Sequence, residues 1–236
     1  MTAKDFADIR RRFQQAPLRA GGCASLGIPA IDRTLPWEGL PRGCLHEIGG
    51  PANEAAAMGF TIWLTALLCE RGGWALWCRG EQRREAVGQP YGPALAHFGL
   101  DMERVLFVTA ETAKDLLWAM EEGLRARRFA TVIGEGVSPD LIQTRRLQLA
   151  AETGGATALM ILPPQGSGAQ SRISAAMTRW AVRACAADSP LRHRWQLQLE
   201  RCRGGAHGLW QVEWNDETLR LDLSPPLADG LLAAAE

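Results

Sequence analysis

The feature that most constrains this chain is the alternation of short β-like runs with helix-like runs over residues 44–162. The β-like runs are Cys44–Ile48, Trp74–Cys78, Val105–Thr109, Ala130–Ile133 and Ala156–Leu162. Strands separated by helices at this spacing pair in parallel, and the helices then cover both faces of the sheet. The first helix opens near Asn53 or Glu54 and runs to about Arg71, where Gly72-Gly73 ends it. Met58, Phe60, Ile62, Trp63, Leu64 and Leu67 make it apolar on most sides, as in a buried helix. A second helix is expected near Pro93–Phe98. Glu111–Arg128 reads as amphipathic, with Leu116, Leu117, Met120 and Leu124 inward. Its acids come first and its arginines last, as the helix dipole favours. Ser138 is expected to cap the next helix, with Pro139 in its first turn and Gly154-Gly155 at its end.

The pattern changes after residue 163. Pro163–Ser174 is a glycine- and serine-rich loop, followed by strand-like runs at Thr178–Ala184, Arg194–Glu200, Leu209–Trp214 and Thr218–Leu223. Short turns between such runs predict an antiparallel extension of the sheet. Glycine and proline mark residues 21–43 as loop. Upstream, residues 1–20 predict a helix with Phe6, Ile9 and Phe13 on one side and Arg10, Arg11 and Arg12 on the other. A helix this short is marginal alone, so the stripe must dock on its own domain or on a partner chain. The expected organisation is a helix over 1–20, a single domain over 21–223 and a tail over 224–236 that is disordered or folds on a partner.

Formal charges cancel, so no global field draws the chain to nucleic acid or an anionic membrane. Lys4 and Lys114 are the only lysines; the other cations are arginines, a bias that GC-rich coding explains better than function does. The six cysteines form no C-x-x-C pair and sit near no histidine at metal-ligand spacing. They read as buried thiols of a reduced, cytoplasmic protein, with no metal and no cofactor. MTAKDFADIRRRF has no apolar core of a secretory leader, and the run from Met58 to Cys69 is too short to span a bilayer.

Candidate chemistry lies where the first strand meets the first helix, in Gly39-Leu40-Pro41-Arg42-Gly43-Cys44-Leu45-His46-Glu47-Ile48-Gly49-Gly50-Pro51. A strand, a glycine turn and a helix are the setting of a phosphate-binding loop. A working loop needs G-x-x-x-x-G-K-[ST], in which lysine reaches the terminal phosphates and the hydroxyl holds magnesium. Counting from Gly50 puts Ala55, Ala56 and Ala57 at the diagnostic positions. His46-Glu47 lacks the second histidine of a zinc-protease motif and reads as a satisfied core histidine. Asp115, Glu121 and Glu122 read as surface acids facing arginines of the next turn. Trp63, Trp74, Trp77 and Trp118 fall on core-facing elements. Trp180, Trp195, Trp210 and Trp214 are interleaved with Arg179, Arg183, Arg194, Arg201 and Arg203. That pattern is core packing beneath a solvated arginine face, or a stacking platform for single-stranded DNA.

GLPRG, the strand ending in EI, the following GP and YGPALAHFGLDMERVLFV resemble the RecA family in order and spacing. The resemblance implies a RecA-like sheet. It places Gly134 where that family has its magnesium-binding aspartate, with Glu135 one residue late, and Glu81 near the catalytic glutamate but out of register. LPRGCLHE, DLLWAMEEGLR, Gly134-Glu135, RRLQLAAE, TRWAV, RWQLQLERCRGG and the closing Trp210–Trp214 segment are more specifically similar to the ImuA family. That resemblance implies a non-catalytic adaptor in SOS-type, error-prone translesion DNA synthesis. Its implied partners are an ImuB-like protein and, further, RecA and a DnaE-type polymerase. Candidate protein-binding residues are Phe6, Ile9, Phe13, Arg201 and Arg203. The alternatives are a weak ATPase using Glu135 or Glu81, a DNA-binding module using Arg172, Arg179 and Arg183, and a cell-division inhibitor of the SulA type. The long antiparallel half argues against the last.

Overall fold

The computed structural model describes residues 22–51, 55–70, 72–81, 91–163, 173–187 and 192–224. Phe6, Ile9, Phe13, Arg172 and the tail after Ser224 lie outside them.

In chain order the elements are Cys23–Ala24 (β1), Pro29–Asp32 (α1), Leu40–Pro41 (β2), Leu45–Gly49 (β3), Ala56–Cys69 (α2) and Trp74–Gly80 (β4). Gly92–His97 (α3), Val105–Ala110 (β5), Ala113–Arg125 (α4), Phe129–Glu135 (β6), Leu141–Gly154 (α5) and Thr157–Ile161 (β7) follow. Thr178–Ala184 (β8), Arg194–Cys202 (β9), Gly208–Asn215 (β10) and Arg220–Leu223 (β11) complete the described chain. Nine strands form one sheet in the order β11-β10-β9-β8-β3-β7-β6-β4-β5. From β8 to β5 all pairings are parallel, and from β8 to β11 all are antiparallel. The fold is therefore a mixed α/β architecture with a mainly parallel sheet and an antiparallel end.

Side chains alternate across this sheet, as the pleat requires. Ile48, Trp77, Ile133, Trp180 and Leu197 point to the face where α2 packs with Phe60, Trp63 and Leu64. Leu76, Cys78, Val132, Ala158 and Met160 point to the other face, against Leu116, Met120 and Leu124 of α4 and Leu147 of α5. The layer over α2 is thick, because residues 22–43 are not mere loop. Leu26, Ile28, Ile31 and Leu35 are buried in the same core as α2. Asp32 holds this segment in shape by accepting from Leu26 N at 2.9 Å and Ser25 Oγ at 2.7 Å. Its pieces are too short and too rich in turn residues to register as periodic elements.

Helix ends also depart from expectation. α4 is capped by the Thr112 side chain and ends by Arg125, before Arg127 at φ 53°. α5 is capped by Asp140, not Ser138; Asp140 and Gln143 bond reciprocally in a capping box. Gly155, at φ 85°, closes α5 in the left-handed conformation that glycine tolerates.

Candidate functional site

β3 runs into Gly49-Gly50-Pro51, and α2 begins at Ala56. The turn lies hard against the neighbouring strand: a Cβ on Gly50 would sit 2.6 Å from the Val182 carbonyl oxygen and 3.2 Å from the Ala57 Cβ. Ala55 occupies the N-cap and gives the first turn no side-chain hydrogen bond. Ala56 and Ala57 are buried in the core. Residues 55–57 thus bring only methyl groups to the start of α2.

The end of β6 is closed in a different way. Gly134 faces α4 and has no room for a side chain, because an added Cβ would collide with the Met120 sulfur and lie 3.0 Å from the Met160 Cε. Glu135 points to the opposite face and is 1% exposed. Its Oε2 accepts from Arg79 Nε at 2.9 Å and from Trp77 Nε1 at 3.2 Å. Arg79 stands directly across from Glu135 in the β4–β6 register and is itself buried. A second pair lies between β3 and β8. Glu47 Oε2 accepts from Arg179 Nε at 2.8 Å and Nη2 at 2.7 Å, while Ser174 Oγ donates to Oε1 at 2.6 Å. Both carboxylates are matched by guanidinium donors inside the protein, the condition under which a buried charge is tolerated.

Beside the Gly49–Pro51 turn is a cleft of about 610 Å³ whose wall includes Pro163, Arg183, Gln198, Glu200 and His207. Among the described residues, no three His, Cys, Asp or Glu side chains converge as a metal site. His46 lies below the turn, fully buried, with Nδ1 at 2.8 Å from Thr178 Oγ1 and Nε2 at 2.9 Å from the Pro41 carbonyl. Burial lowers its pKa to about 4, so the ring is neutral near pH 7. Burial pushes the Cys44 and Cys78 thiols up to about 12 and those of Cys69 and Cys202 up to about 11. These are protonated, inert sulfurs, and all the cysteines are free.

No family model matches the chain. A curated relative does: Protein ImuA of Caulobacter vibrioides strain NA1000 / CB15N is 33% identical over 232 residues, covering 90% of this chain and 93% of the relative. The chain belongs to the ImuA family. The ImuA protein of Caulobacter vibrioides strain ATCC 19089 / CB 15 matches to the same extent. Coverage of 90% is more than the parallel half can supply, so the ImuA likeness extends into the antiparallel strands.

In this ImuA family chain the site candidates separate by burial. Arg179, a DNA-binding candidate, does not face solvent; its guanidinium is held by Glu47. Arg183 and Arg203 are exposed, and Arg201 is half-buried with Nη1 donating to the Ser174 carbonyl. Arg194 is buried against Glu213, whose pKa is lowered by that hydrogen bond. Trp180, Trp195 and Trp214 are core residues, and Trp210 is partly buried against the same core. Trp74 and Trp118, expected in the core, are 46% and 61% exposed. Glu121 reverses the expectation of a surface acid: it is 4% exposed and bonded to Arg146 of α5. Sequence reading did not single out Arg79 or Ser174, and it weighed Glu47 only as part of a zinc-protease motif. Strand register alone brings Arg79 to Glu135 and Glu47 to Arg179, and no spacing along the chain encodes it.

Proposed function

We propose that this protein is a non-catalytic adaptor of damage-induced, error-prone translesion DNA synthesis, built on a RecA-like fold that has lost its nucleotide chemistry. The observation that carries the reading is the pair of closures at the strand ends. Ala55–Ala57 put only methyl groups at the phosphate turn, and Arg79 occupies the one acid near the magnesium position, Glu135. A protein that cannot use a nucleotide acts through its surfaces. ImuA family membership supports an ImuB-like protein as first partner, with RecA and a DnaE-type polymerase as further ones, all in the cytoplasm. Arg203 and Arg183, exposed and free of the core, are the arginines best placed to touch a partner.

Titration calorimetry with Mg-ATP tests the first half of this reading, with no saturable heat expected. Micromolar binding would overturn it. Co-purification with the ImuB-like protein tests the second half, and a chain that binds none of the named partners is not this adaptor.

A further inference from the structure

The helices that cover one face of the sheet leave their own outer side open. On α4, Trp118 is 61% exposed; on α5, Ile142 is 72% and Leu149 is 53% exposed. Trp118, Glu122 and Arg125 recur at i, i+4 and i+7, as do Ile142, Arg146 and Leu149, so each trio lies along one side of its helix. The two ridges adjoin. Arg146 of α5 reaches Glu121 of α4 at 2.9 Å, and Arg125 meets the same carboxylate at 3.3 Å. The inner sides of both helices are fixed in the core, so the exposed ridges ride on a rigid base. Three large apolar side chains left this open on two adjoining helices make a surface suited to being covered by another molecule.

Charge decides what covers it. The acids here already have partners: Glu121 holds Arg146 and Arg125, Glu122 holds Arg125 at 3.5 Å, and Asp115 accepts from the Thr112 hydroxyl. The cations keep donors to spare. The Arg125 and Arg146 side chains are 51% and 61% exposed, and Lys114 and Arg145 are exposed beside them. Lys114, Arg125, Arg145 and Arg146 outnumber Asp115, Glu121 and Glu122 by one charge, and the excess sits on the α5 ridge at Arg145, which is exposed between Ile142 and Leu149.

We infer that the α4–α5 face docks an amphipathic helix of a partner protein, one whose apolar stripe is flanked by carboxylates. The stripe packs against Trp118, Ile142 and Leu149, while the carboxylates meet Arg145, Arg146 and Arg125. This rests on the adaptor reading and adds where one partner sits.

The test uses the full chain carrying Trp118→Ala, Ile142→Ala with Leu149→Ala, or Arg145→Glu, with exposed Glu217→Ala as control. The probes are the purified ImuB-like protein and overlapping helix-length peptides covering its sequence. Each of the three surface variants is expected to lose at least about tenfold in affinity at unchanged melting temperature, as hot-spot truncation does. The peptides that bind are expected to be acidic and amphipathic. Near-wild-type binding by all three variants overturns the surface and leaves the adaptor reading standing. A wild-type chain that binds neither protein nor peptide overturns both. A photocrosslinker at position 118 that joins the chain to itself, or to a second copy, overturns the partner helix in favour of that occupant.

Discussion

α2 and α5 are both fourteen residues long, yet ten residues of α2 are buried against five of α5. The difference comes from what lies outside each helix. α2 is covered by the sheet beneath and by α1, the Leu26–Leu35 stretch and Phe98 above, so almost every position had to be apolar or small. Among the described residues α5 meets the sheet, α4 and the 175–176 segment on its inner side, and its outer side is exposed at Arg145, Arg146 and Leu149. One side of the sheet is thus built for packing, and the other has surface left for association.

The strongest way to break this contrast is through the buried ion pairs. Arg79→Met and Arg179→Met, made separately, should each cost about 3–5 kcal/mol, because each strands a buried carboxylate. Urea unfolding measures this, and the double change Arg79→Met with Glu135→Met should recover most of the loss. Single costs below about 1 kcal/mol would show that the pairs are not structural. Next comes the direct comparison of the two layers. Phe60→Ala on α2 should also cost about 3–5 kcal/mol, whereas Leu149→Ala on α5 should stay within about 0.5 kcal/mol. Equal costs would erase the distinction.

His46 gives a smaller, pH-dependent effect on the α2 side. Its folded pKa of about 4 lies below the ordinary 6.5, so the unfolded chain binds the proton more readily. The stability it contributes is therefore complete above the unfolded value and falls with pH down to the folded one. The slope should be about 1.4 kcal/mol per pH unit within that window. His46→Gln should flatten that part of the stability–pH curve; an unchanged slope would assign it to other groups. The smallest effect belongs to Arg203→Ala, within about 0.5 kcal/mol in melting because the side chain is exposed. Its effect should appear in partner binding instead, and a melting shift of several degrees would mean that it is structural.

The architecture was legible because strand and helix periodicity are local. The bounds of β8, Thr178–Ala184, are those expected, and Gly154-Gly155 ends α5 as expected. Trp118 could have been placed by the same logic: Leu116, Leu117, Met120 and Leu124 define one side of α4, and Trp118 lies on the other. A tryptophan's usual burial outweighed its position on the wheel. Asp140 was likewise visible, since Asp-x-x-Gln is a capping pattern. The candidate site was less legible. The alanines at 55–57 can be counted in the sequence, but Arg79 and Glu135 lie 56 positions apart and meet only through sheet order. Arg179 read as a surface arginine until β3 brought Glu47 beside it.

The Arg79–Glu135 pair also limits how this chain can change over generations. Replacing either residue alone leaves an unmatched charge inside the protein, while replacing both together is tolerable. A lineage crossing from one state to the other must pass through an unstable intermediate or change two codons at once. Substitutions at 79 and 135 should therefore be correlated among relatives. A single mutation freeing Glu135 to hold a metal would unsettle the strand ends before it gave the chain any new chemistry.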